Sequence, residues 1–190
     1  MNVCLYGASS TQIADSYITA TEKLGEALAA AGHTLVYGAG GSGLMGAVAR
    51  GMTRGGGTIV GVVPSFFKVD GILYDGCTEM VFTDTMRERK QIMEERSDAF
   101  VVAPGGIGTY EEFFEIYTLK QLGRLSKPIV IFNIGGYYDS LLEMLRHTVD
   151  EKFMQESCLH LCTVATTAEE VMAQLSATAD AADINQTKYI

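Results

Sequence analysis

A chain of 190 residues, 47% of them hydrophobic, has the length of about one domain with a real core, and a single domain is expected. Its formal net charge of −9 argues against a nucleic-acid partner, which needs a basic face to displace counterions, so an anionic small ligand would need a local cationic cluster instead. No apolar run approaches the roughly 20 residues of a membrane span, and no basic segment precedes the apolar start Val3-Cys4-Leu5, so no membrane partner is expected and the cytoplasm is the expected compartment.

In chain order, residues 2–7 read as a short apolar strand, Ala8-Ser9-Ser10 as a small-residue loop, and 14–31 as a helix closed by Gly32. Leu35-Val36-Tyr37 is the second strand. The glycine-rich Gly38-Ala39-Gly40-Gly41-Ser42-Gly43 follows, then a helix to about 54 and a third strand over 58–63. Gly38, Gly40 and Gly43 have the spacing of a dinucleotide fingerprint. The acidic ribose partner about 20 residues on is missing, since the sequence there reads Val62-Val63-Pro64, and no dinucleotide is expected. The same glycines serve equally as a tight strand-to-helix turn or as a loop facing phosphate or ribose.

Periodicity stops over 65–77, where Phe66, Phe67, Ile72 and Leu73 either fold onto the core or make a flap or dimer contact. A fourth strand is expected over 80–82. In the helix over 85–96, which Asp84 or Thr85 can cap, Met86, Arg89, Lys90 and Met93 fall at i, i+3, i+4 and i+7, so two cations share a stripe with apolar residues. Charges on an inward stripe are costly unless paired or serving a ligand.

The apolar run 99–103 predicts a strand buried on both faces, which breaks into Pro104-Gly105-Gly106-Ile107-Gly108-Thr109 and then a helix over 109–122. Such a turn leaves backbone N–H groups uncovered at a helix N-terminus carrying roughly +0.5 charge, a setting made for an anion. No Lys-Ser or Lys-Thr follows the last glycine, so this is not the loop that wraps a triphosphate. Glu112 arrives instead, and a carboxylate beside a bound phosphate suggests chemistry at a sugar. Thr109-x-x-Glu112 also fits a capping box, which would give the glutamate only a backbone N–H to hold.

A strand over 128–132, an amphipathic helix with Leu141, Leu142, Leu145 and Val149, a strand over 161–164 and a helix over 167–175 complete the alternation. The fold class expected is α/β: a doubly wound, Rossmann-like parallel sheet with helices on both faces, one domain over 1–175 and a frayed tail over 176–190. The four cysteines contain no CxxC pair, and free thiols are expected. Cys158, His160 and Cys162 alternate at strand period, but three soft ligands on one short extended segment cannot wrap a tetrahedral ion, so no metal is expected.

Two stretches at matching separation carry a family resemblance. Pro104-Gly105-Gly106-Ile107-Gly108-Thr109-Tyr110-Glu111-Glu112 resembles the PGGxGTxxE signature of the LOG (Lonely Guy) family, the cytokinin riboside 5′-monophosphate phosphoribohydrolases. Met86-Arg87-Glu88-Arg89-Lys90 resembles its MHxRK box, with Arg87 where the family often has His, and the likeness extends from the first strand to about residue 165. It implies Arg89 and Glu112 as the catalytic pair. Gly105, Gly106, Ile107, Gly108 and Thr109 would cradle the phosphate, and Lys90, Gly40, Gly41 and Ser9 would also face the substrate. A homodimer and no cofactor are implied.

The chemistry expected is cleavage of an N-glycosidic bond. Neither a GxSxG elbow nor a histidine near either motif supports a Ser–His or Cys–His nucleophile, and nothing marks a pyridoxal-phosphate lysine. A carboxylate and a guanidinium suit a reaction that builds oxocarbenium character at a sugar and charge on a leaving base. The substrate expected is AMP or an N6-modified AMP. The alternative is a non-catalytic nucleotide or molybdenum-cofactor carrier on the same fold, which has no need of the Arg89 and Glu112 pair.

Overall fold

The apolar runs pair side by side. A computed structural model describes residues 1–69 and 71–180, the side chains of 178–180 excepted. Seven strands, β1 (Asn2–Tyr6), β2 (Thr34–Tyr37), β3 (Thr58–Pro64), β4 (Glu79–Thr83), β5 (Ala99–Val102), β6 (Ile129–Phe132) and β7 (Thr163–Ala165), form one sheet in the order β4-β3-β2-β1-β5-β6-β7. Every pairing is parallel. β1, β5 and β6 are almost wholly buried, as strands covered on both faces must be.

The helices divide between the faces. α1 (Asp15–Ala30), α2 (Gly43–Arg54) and α6 (Ala168–Asp180) bury Leu24, Leu28, Val48, Met52, Val171 and Leu175 in one layer. α3 (Met86–Arg96), α4 (Ile107–Gln121) and α5 (Asp139–Asp150) bury Met93, Phe113, Ile116, Leu141 and Leu145 in the other. α1 and α2 pack closely enough that a Cβ on Gly25 would lie 2.3 Å from the Val48 carbonyl oxygen. Arg50 and Arg54 pair with Glu22 and Glu26 beside that crossing.

The order places the site. The chain winds outward from β1 to β4, then returns to lay β5 against the other side of β1, so loops after β1 and β5 part company at the carboxyl edge and leave a crevice. The expected doubly wound α/β fold is therefore present.

Three local expectations differ. α4 begins at Ile107, two residues ahead of Thr109. Residues Glu156–His160 form a 3-10 turn, so Cys158, His160 and Cys162 do not share a strand face. Among the described residues no group of three or more His, Cys, Asp or Glu side chains is placed to hold a metal. α6 runs to Asp180, past its expected end at 175, and 181–190, the remainder of the expected tail, lie outside the described residues.

Candidate active site

The turn after β5 is built around the start of α4. Gly106 is the N-cap, in extended backbone at φ −91° and ψ −156°, and the Tyr110 N–H already reaches its carbonyl at 3.0 Å. The N–H groups of Ile107, Gly108 and Thr109 precede the first donor of the helix, that of Tyr110, and find no backbone partner among the described residues. Gly105 must lack a side chain, because a Cβ there would meet the Thr109 Oγ1 at 2.1 Å.

α3 brings a cation to the same place. Thr85 caps it by accepting from the Glu88 N–H at 3.1 Å, while the Glu88 carboxylate accepts from the Asp84 N–H at 2.9 Å, which fixes where the helix starts and hence which residues face inward. Arg89 and Met93 are the ones buried. The Arg89 guanidinium donates to Glu112 Oε1 at 2.6 Å through Nη1 and to the Val62 carbonyl at 3.3 Å through Nε. It presses against Gly38, where a Cβ would lie 2.3 Å from Nη2. A glycine at the end of β2 is thus a requirement of the arginine.

Both members of this pair are only 10% exposed at the side chain. Burial pushes the Glu112 carboxyl above its ordinary range, with the Arg89 charge opposing the rise. Its Oε2 accepts no hydrogen bond among the described residues and is left for water or a ligand. Glu112 lies beyond the helix start and faces Arg89, and Gly106, not Thr109, caps the helix, so the capping-box reading does not describe it. Cys4 and Tyr6 lie near the pair. Burial pushes the Cys4 thiol up to about 12 and the Tyr6 hydroxyl well above its usual value, so neither is a base at neutral pH.

A cavity of about 390 Å³ joins these elements at the switch point. Of the residues singled out in the sequence it is lined by Ser9, Gly40, Arg89, Gly106, Gly108, Thr109 and Glu112. Four others are placed elsewhere. Lys90 pairs with Glu111 and Glu115 of α4 and does not line the cavity. Ile107 is 84% exposed, its side chain turned to solvent. Gly41 donates its N–H to the Ile72 carbonyl at 2.9 Å, and Gly105 faces a smaller cavity on the reverse side of the turn.

The glycine loop before α2 makes a tight turn, and its Gly38, Gly40 and Ser42 line the cavity. The N–H groups of Leu44 and Met45, which a pyrophosphate would need, donate to the Ala8 carbonyl at 2.8 and 3.3 Å. Gly43 has φ +58° and a Cβ there would meet the same carbonyl oxygen at 2.5 Å. The segment after β3 crosses this loop, with Gly40 bridging Leu73 and Tyr74 N–H bound to the Ala39 carbonyl at 2.9 Å, and brings Phe67, Ile72 and Leu73 over the cavity.

Gly7, Ala8, Gly38, Ser42, Met45, Val63, Pro64 and Met86 complete the wall; Gly38 and Ser42 come from the loop that the sequence offered as facing phosphate or ribose and Met86 from the inward stripe of α3, while the other five were not singled out as site residues. Those at strand ends carried a usable signal, since the carboxyl edge of a doubly wound sheet is where its ligand binds. Among the described residues no lysine lines the cavity.

The family profile described as "Possible lysine decarboxylase" matches residues 45–175. The cytokinin riboside 5′-monophosphate phosphoribohydrolase of Mycobacterium tuberculosis is 38% identical over 90% of this chain and 90% of its own, and one from Arabidopsis thaliana is 36% identical over 91% of this chain and 81% of its own. Among solved structures, the molybdenum cofactor carrier protein of Chlamydomonas reinhardtii superimposes with a TM-score of 0.73 over 94% of this chain and 98% of that one, at 21% identity, a likeness of fold. Sequence, fold and kinship agree: the chain belongs to the family of the cytokinin riboside 5′-monophosphate phosphoribohydrolases.

Proposed function

We propose that this protein hydrolyses the N-glycosidic bond of a nucleoside 5′-monophosphate, AMP or an N6-modified AMP, to free base and ribose 5-phosphate. The observation that carries this reading is the buried Arg89–Glu112 pair, 2.6 Å apart, one helical turn beyond the unpaired N–H groups at the start of α4. One turn is about 5.4 Å, on the scale of a ribose 5-phosphate, so a phosphate on those N–H groups brings the sugar to the carboxylate.

In the reaction a water oxygen bonds to C1′ while the C1′–N9 pair leaves with the base, which takes up a proton. Glu112 Oε2 faces the positive charge that develops at the sugar and stabilises it or accepts the proton of the attacking water. Arg89 holds Glu112 ionised and in place. Phe67, Ile72, Leu73, Met45 and Met86 offer an apolar wall to the base.

The names of the relatives support this reaction, whereas the carrier alternative rests on likeness of fold at 21% identity. Among the described residues the wall offers no lysine for a pyridoxal-phosphate decarboxylase. A homodimer in the cytoplasm completes the proposal. The apolar surface that Phe66, Phe67, Ile72 and Ile107 expose supports the dimer, and sedimentation at micromolar concentration tests it.

Incubation of the pure protein with AMP and with N6-isopentenyl-AMP, followed by chromatography, tests the function. Equimolar base and ribose 5-phosphate are expected. Nucleotide recovered intact from both would contradict it.

A further inference from the structure

The reverse side of the glycine turn holds a clamp. Three consecutive carbonyls, those of Ala103, Pro104 and Gly105, are each held by a different donor: the Tyr138 hydroxyl at 2.8 Å, the Ala8 N–H at 3.0 Å and the Tyr137 hydroxyl at 2.6 Å. A turn whose carbonyls are all engaged cannot rotate its peptides without breaking a bond.

The Gly105 carbonyl matters most. The described residues contain no cis peptide bond, and in a planar trans peptide the C=O and the next N–H point opposite ways. Since the Gly105 oxygen is drawn toward Tyr137, on the side of a cavity of about 150 Å³, the Gly106 N–H is turned the other way, and Gly106 lines the large cavity as well. That N–H has no acceptor among the described residues.

Tyr137 is itself well supported. Gly135 and Gly136, at φ +61° and +75°, bend the chain after β6 so that two tyrosines face the turn. The Asn133 side chain accepts from the Tyr138 N–H at 2.7 Å and donates to Asp139 at 2.7 Å, and the Tyr137 ring meets Tyr17 and Tyr138 edge-on.

We infer that Tyr137 is a positioning residue for the phosphate of the substrate: by holding the Gly105 carbonyl it aims the Gly106 N–H into the cradle, adding a donor to those of Ile107, Gly108 and Thr109. This rests on the proposed phosphoribohydrolase reading and deepens it. Tyr137 does not line the cavity and touches no reacting atom.

Binding of two ligands to the whole protein tests the idea by calorimetry. Ribose 5-phosphate reports on the cradle and adenine on the apolar wall. Tyr137→Phe removes one hydroxyl from a residue that is 38% exposed, so the variant folds. It is expected to weaken ribose 5-phosphate by roughly tenfold, the worth of one hydrogen bond, and to leave adenine within about twofold. kcat/KM for AMP should fall in parallel.

Tyr117→Phe is the control, because it deletes the same kind of bond, hydroxyl to the Cys158 carbonyl at 2.8 Å, away from the turn. It should lower stability without touching either ligand. Wild-type binding of ribose 5-phosphate with an unchanged Tyr137→Phe affinity, or equal weakening of both ligands, overturns this inference alone. A wild type that binds neither ligand and leaves AMP intact overturns the functional reading and this inference with it.

Discussion

Glu112 and Arg89 form a pair that neither could form without the other. Losing one partner leaves a charge uncompensated in a buried place, so the conservative replacement is the informative one. Glu112→Gln keeps the shape and removes the charge. The rate of base release by the folded protein should fall by at least about a hundredfold, as for loss of a group acting in the transition state, and the melting temperature should also fall because the buried Arg89 charge loses its partner. Glu111→Gln should be nearly silent, since that side chain is half exposed and among the described residues pairs only with Lys90. Arg89→Ala should be as damaging to the rate as Glu112→Gln, and the solvent-exposed Arg87→Ala should not.

The same pair sets a pH dependence. In the proposed reaction Glu112 acts as a carboxylate, and burial raises its pKa, so activity is expected to be full above that value and to be lost as pH falls through it. The acid limb of kcat/KM should therefore lie above the ordinary glutamate range and vanish in Glu112→Gln. A limb at or below 4.5 would contradict the assignment of burial as the dominant influence.

Elements decide which of these residues could be read from sequence. The stripe of α3 was legible because a 3.6-residue period puts Arg89 beside Met93 whatever surrounds them, and both are buried. Lys90 shares the stripe but not the cavity. Its partners, Glu111 and Glu115, belong to α4 and become neighbours only when the two helices pack, which no local pattern announces. Likewise the tyrosine clamp joins residues more than thirty positions apart. The glycines of the turn were legible as a turn, yet only the packing shows that Gly106 faces the cavity and Gly105 its reverse side.

Two predictions belong to elements. In the segment after β3, Phe67 lines the cavity and its neighbour Phe66, 62% exposed, does not. Phe67→Ala should shift the preference between AMP and N6-isopentenyl-AMP with little loss of stability, and Phe66→Ala should leave it unchanged. Equal effects on the ratio of kcat/KM would show that the segment acts as a whole. At the α1–α2 crossing, Gly25→Ala pushes a methyl against the backbone of Val48 and should cost about 1–3 kcal/mol in denaturant unfolding without changing the affinity for ribose 5-phosphate.

At the scale of the molecule, function follows from topology. The reversal of winding between β1 and β5 opens the crevice, α4 brings the N–H groups of its first turn and a carboxylate one turn later, and α3 reaches in from beside β4 with the arginine. The alternation of strands and helices made that architecture readable from the sequence, because apolar runs bounded by glycines admit few arrangements. In the proposed reaction, phosphate binding and bond cleavage are coupled. Energy gained at the cradle positions C1′ against Glu112, so it should appear in kcat as well as in KM. The most direct test is therefore turnover of AMP against adenosine by the wild-type protein under identical conditions. Base release from AMP with kcat and kcat/KM both far above those for adenosine is the expected result, and adenosine cleaved as fast as AMP would contradict it.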